Sequence, residues 1–237
     1  MQPLMVLAFG LLLGMQHATE ADHVAAVASI ASGEQHAGCA LRHGMAWGLG
    51  HTLTLAAVAA GVSLLGWVIS PSMAGHFEQA VGLMLIALGL NLAWRLRREH
   101  YHVHHHDDGQ GPHLHVHRHE QPAARAAVRA GTHAREQHRH GHGLPARTVL
   151  VGMVHGLAGS AALVLLVGQT MPSPAWMLAY VLIFGVGSMI GMAILSGAMG
   201  WSMRRASRRV APLHRLLSGL VALVAVGIGL HQFLAFG

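Results

Sequence analysis

Four side chains able to hold a metal ion or carry charge fall within seven residues: His17, Glu20, Asp22 and His23. Residues 4–15 before them and 24–31 after them are almost wholly apolar. A charged group at a bilayer centre costs roughly 2.5–3.5 kcal/mol on insertion scales, so one placed there has a function to justify it. Imidazole nitrogen with carboxylate oxygen is a donor set for a divalent transition metal. On a straight helix His17, Glu20 and His23 share one broad face at steps of about 60°, whereas Asp22 points away from His17. For His17, Asp22 and His23 to bind one ion, the helix must unwind here or a second helix must complete the site. Helices broken near the midplane are where transporters commonly place ion sites.

Two further histidines lie in apolar sequence. His51 follows Gly50 and precedes Thr52, and His155 stands five residues before Ser160. A lone membrane histidine either bonds to a neighbouring helix or lines a polar path, and both readings stay open for each. Glu20, Thr52, His155 and Ser160 are therefore candidate pathway residues beside the core set His17, Asp22, His23 and His51. Gly48, Gly50, Gly185, Gly187 and Gly191 read as helix contacts.

The elements that must position these residues are membrane helices. The 237-residue chain is 53% hydrophobic and 10% charged, which is membrane-protein composition rather than that of a soluble domain. Six stretches are long enough to span, near 3–31, 43–69, 77–96, 148–170, 175–201 and 212–235. The first lacks a basic leader and runs into the polar cluster instead of a cleavage site, so it reads as a retained membrane helix. The single cysteine, Cys39, excludes an internal disulfide.

All fifteen basic residues are arginine, and they collect in alternate connections. Arg42, the arginines from Arg95 to Arg147, and the Arg204–Arg215 group lie on one face, while the connections around Ser72 and Pro172 have none. The positive-inside rule places the basic face in the cytoplasm and both termini outside. The basic character thus sets topology and implies a lipid bilayer as partner, with no nucleic acid.

The halves echo each other. Gly14-Met15-Gln16-His17 corresponds to Gly152-Met153-Val154-His155, and Gly48-Leu49-Gly50 to Gly185-Val186-Gly187. Three spans per half force the second copy to enter from the opposite side, giving an inverted repeat with a midplane site. The expected fold is an all-α polytopic membrane protein: residues 1–96 form one three-helix repeat and residues 148–237 the other.

Residues 97–147 are different material, with thirteen histidines. They include His104, His105, His106 and the alternating His113, His115, His117 and His119. Such composition buries too little apolar surface to offset ordering entropy, so a largely disordered cytoplasmic loop is expected, serving as a metal buffer. With imidazoles near their reference pKa of about 6.5, the loop gains charge and sheds metal as pH falls.

The motif His-x4-Asp-His at 17, 22 and 23 resembles the hallmark of the nickel/cobalt transporter family (NicO), and Gly50-His51-Thr52 resembles its second motif. The run from His155 to Ser160 is similar to the pattern of the urease-accessory-like branch, and the likeness covers both halves. Larger permeases of the family carry acidic residues in the second half, where this chain has His155, Ser160 and Ser188. The resemblance implies transport of Ni²⁺, with Co²⁺ as a second substrate, and no resident cofactor. It also implies a bacterial-type inner membrane and cytoplasmic metallochaperones as partners, and it tips the direction toward uptake, with nickel/cobalt efflux through the same site as the alternative. The residues alone would suit zinc or copper equally. An intramembrane hydrolase using Ser160 or a bound zinc is the rival from another class. It lacks His-Glu-x-x-His and Gly-x-Ser-x-Gly motifs. A passive metal store, with the loop as the active part, is the third reading.

Overall fold

Helix α1 (Pro3–His17) stops at the polar cluster. The computed structural model describes residues 3–31, 37–98, 101–107, 112–118, 145–158, 170–209 and 211–236. Thr19 closes α1 by returning both its backbone N–H (2.9 Å) and its hydroxyl (2.6 Å) to the Gln16 carbonyl. Glu20 N–H bonds His17 O at 3.0 Å, and Val24 N–H then bonds Glu20 O at 2.9 Å, restarting the helix as α2 (Ala21–Ala31). A hydroxyl able to bond its own backbone competes with helix continuation, which is why the break falls at Thr19.

The remaining helices are α3 (Ala37–Leu65), α4 (Pro71–Arg98), α5 (Ala146–His155), α6 (Pro174–Arg209) and α7 (Ala211–Ala235). Proline begins α4 and α6, at the helix start where its missing N–H costs nothing. Four of the described helices are long and apolar enough to cross a membrane, at Gly38–Leu65, Pro71–Arg98, Pro174–Ser202 and Arg215–Ala235; α1 and α2 are shorter apolar helices. Of the fourth expected span, near 148–170, residues 159–169 lie outside the described residues.

The chain divides into two units, Met1–Leu92 with Leu144–Gly237, and Ala93–Gly143. In the first, the helices close on each other through glycine. A Cβ on Gly14 of α1 would strike the Phe184 carbonyl of α6, and one on Gly187 of α6 would strike Leu11 O. The same relation holds between α3 and α5. A Cβ on Gly50 would strike Val149 O, and one on Gly152 would strike Trp47 O. Lipid tails supply no hydrophobic drive between helices, so this backbone proximity and its dispersion contacts hold the bundle. Trp47, Val27, Leu85 and Met192 are buried in one cluster, and Leu55, Tyr180, Val181 and Phe184 in another.

The second unit contains a β-hairpin. Strands β1 (Tyr101–Asp107) and β2 (Pro112–Arg118) pair antiparallel, with Val103 opposite Val116. The His-x-His alternation repeats every two residues, as a strand does, and Tyr and Val favour strands. His102 pairs with His117, His104 with His115 and His106 with His113. His105 pairs with Leu114. His119 lies outside the described residues.

Candidate metal site

Two helices end at a histidine. His17 is the last residue of α1 and His155 the last of α5. After His155, Gly156 N–H bonds Gly152 O at 2.9 Å and Leu157 N–H bonds Val154 O at 3.2 Å, a turn like the one after His17. His23 lies between them, its ring centroid 4.2 Å from that of His17 and 4.0 Å from that of His155. The carbonyl ends of α1 and α5 therefore flank His23, and a helix C-terminus favours a cation by roughly 0.3–1 kcal/mol. Asp22, in the first turn of α2, has the complementary benefit of a helix N-terminus, its Oδ1 accepting the His23 backbone N–H at 2.8 Å.

Around His23 the donors form two overlapping triads: His17 with His23 and His51, and Asp22 with His23 and His155, each with its ligand atoms within 4.8 Å. In the second, Asp22 Oδ1 lies 3.0 Å from His23 Nδ1, Asp22 Oδ2 lies 3.0 Å from His155 Nε2, and the two nitrogens are 3.2 Å apart. With metal–ligand bonds of about 2.1 Å, donors at right angles lie about 3.0 Å apart. These four atoms, from three residues, are thus spaced as neighbouring ligands of one ion. Asp22 accepts from both rings.

The first triad has lone pairs to spare. His17 Nδ1 lies 2.9 Å from Glu20 Oε1, so its N–H points there and Nε2 is left as an acceptor. His17 Nε2, His23 Nε2 and both nitrogens of His51 are buried with no hydrogen-bond partner among the described residues. Leaving a buried polar atom unsatisfied costs about 1–3 kcal/mol. A neutral His51 keeps one N–H, so the three adjacent rings offer three unused lone pairs, which fits a cation site. His51 and His155 are 0% exposed, and Trp47 and Phe184 wall the rings. Neither triad contains sulfur, and nitrogen with carboxylate oxygen suits Ni²⁺ better than a soft monovalent ion.

Other candidates lie elsewhere. Thr52 donates its hydroxyl to Gly48 O at 2.7 Å and sets its methyl against Gly185, at the α3–α6 contact. Glu20 is 56% exposed and bonds His17 Nδ1 through Oε1. Ser160 lies outside the described residues. The sequence reading passed over Glu78, His231 and Gln232, which with Glu20, Asp22 and His155 line a cavity beside the second triad. Glu78 could have been found as a lone carboxylate inside an apolar helix.

The sequence pattern of the NicO family, described as "High-affinity nickel-transport protein", matches residues 3–234. The chain belongs to the NicO family. It is similar to "Urease accessory protein UreH" of Bacillus sp. (strain TB-90), with 28% identity over 235 residues, covering 99% of this chain and 92% of the relative. No solved structure matches it. NicO proteins move nickel across membranes and are not enzymes, so the hydrolase reading is set aside. The chain is a multi-pass membrane protein whose transported substrate class is nickel.

Proposed function

We propose that the two triads around His23 are the transport site for Ni²⁺, with Co²⁺ as a second substrate, in a bacterial cytoplasmic membrane. The observation that carries this is the convergence of four buried imidazoles and one carboxylate from α1, α2, α3 and α5, with ring nitrogens that lack partners among the described residues. His17, Asp22, His23, His51 and His155 replace water around the ion, and Glu20 orients His17. Shared by both triads, His23 lets an ion pass from one to the other while keeping one ligand. Only part of the ion's coordination then changes at each step.

In this reading α1 and α2 together form one broken span, and six spans make two inverted three-helix repeats. The reciprocal contacts of α1 with α6 and of α5 with α3 support it, because each half lends its first span to the second span of the other. Termini lie outside and the His-rich segment in the cytoplasm, where it buffers metal and meets metallochaperones. Uptake is the direction favoured. The relative's name, an accessory to urease, supports supply of the metal. The membrane potential alone drives a dication inward by about 4.6 kcal/mol per 100 mV, at 2.3 per charge.

Nickel accumulation in cells expressing the wild type, His17→Ala or Asp22→Ala tests this. The wild type should raise cellular nickel and both variants should abolish the rise. A fall in nickel with the wild type means efflux, and normal transport by both variants removes the site.

A further inference from the structure

We propose that the cavity beside the second triad is the outward mouth of the pathway, and that Glu78 and His231 hold the hydrated cation at its rim. This deepens the transport reading and rests on it. The cavity is about 400 Å³ and reaches Asp22 and His155, but not His17, His23 or His51. Six waters at about 30 Å³ each occupy on the order of 180 Å³, so an ion can enter still hydrated and lose its water at the floor.

Charge separates this cavity from an incidental gap. Outside residues 97–147 the chain has four acidic side chains, Glu20, Asp22, Glu34 and Glu78, and three of them line this one space. Among the described residues, no arginine lines it. A low-dielectric cleft lined by one sign of charge raises the local concentration of the opposite ion.

Independent of the carboxylates, two wall residues have unused acceptor atoms. His155 Nδ1, on a ring with no exposure, and Gln232 Oε1 are buried without a hydrogen-bond partner among the described residues. An amide oxygen without a donor suits the O–H groups of an ion's hydration water.

Position gives the side. Glu78 is in the early turns of α4, far from Arg95, Arg97 and Arg98 at its other end. His231 and Gln232 are in the last turns of α7, remote from Arg215 near its start. Gly82 of α4 and Gly229 of α7 approach closely, a Cβ on Gly82 falling 2.6 Å from Gly229 O, which fixes these two ends together. The mouth is therefore at the arginine-free ends, the outer side under the positive-inside rule.

The test uses the full chain in cells, in a Cys39→Ala background. Ile228→Cys places a thiol on the cavity wall, and Leu230→Cys, 48% exposed on the same helix and absent from the wall, is the control. A charged, membrane-impermeant methanethiosulfonate added outside should modify position 228, nickel should slow that reaction several-fold, and position 230 should stay unreactive. Glu78→Gln with His231→Asn should raise the KM for nickel by about tenfold, equivalent to about 1.4 kcal/mol of binding, with maximal rate changed less than twofold. Modification of 228 only in inverted vesicles, no modification, or modification that nickel does not slow each overturns the mouth. If any of these occurs while His17→Ala and Asp22→Ala remain inactive, the buried site survives and only the mouth falls. If those two variants transport normally, the site reading falls first.

Discussion

Asp22 and His155 are 133 positions apart in the chain and meet at 3.0 Å, carboxylate Oδ2 to ring Nε2. This contact ties the start of α2 to the end of α5 across the buried centre. The same carboxylate holds His23 through its other oxygen, so one side chain aligns two of the four rings.

Asp22→Asn keeps the size and one acceptor but removes the charge. If the carboxylate is an ion ligand, nickel transport should fall by at least about a hundredfold, since even losing a residue that only orients a ligand costs about 10–100-fold. Nickel accumulation, normalised to protein in the membrane fraction, measures it. Transport within a few-fold of wild type would leave Asp22 a structural residue.

Glu20 separates orientation from charge. Glu20→Gln retains an oxygen that can accept from His17 Nδ1, whereas Glu20→Ala does not. Nickel affinity of purified protein should drop little in the first and about tenfold in the second. Equal losses would mean that the charge matters and the hydrogen bond does not.

How much of this could be read beforehand depends on whether the cue was local. His17 to His23 stood out because ionisable groups in apolar sequence are costly wherever the chain folds. The need for a break followed from the angle between His17 and Asp22, but its place depended on Thr19 bonding back to Gln16. His155 stayed ambiguous because a single imidazole carries no sign of a partner 133 residues away. Glu78 was passed over near a helix end, and only the approach of α4 to α7 gives it neighbours in the cavity.

The glycine contacts predict a contrast in stability. Gly152→Val would drive a side chain into the Trp47 carbonyl, while Gly219 of α7 has nothing within 4 Å of an added Cβ. Overpacking of this kind costs about 1–3 kcal/mol. Gly152→Val should lower the Tm of the detergent-solubilised protein by several degrees and Gly219→Val should not. A matching Tm for both would remove the close approach of α3 and α5.

The hairpin separates a transporter with a metal-holding appendage from a passive store. Three histidine pairs stand opposite each other in the register of β1 and β2, at His102/His117, His104/His115 and His106/His113. Replacing these six by alanine should remove most of the nickel bound by the segment. Replacing His133, His138, His140 and His142 should remove less. Deleting residues 100–142 should leave transport intact while shifting the external nickel concentration at which cells stop growing. If that deletion abolishes nickel accumulation and His17→Ala does not, the metal is being stored by the segment and the helices only anchor it.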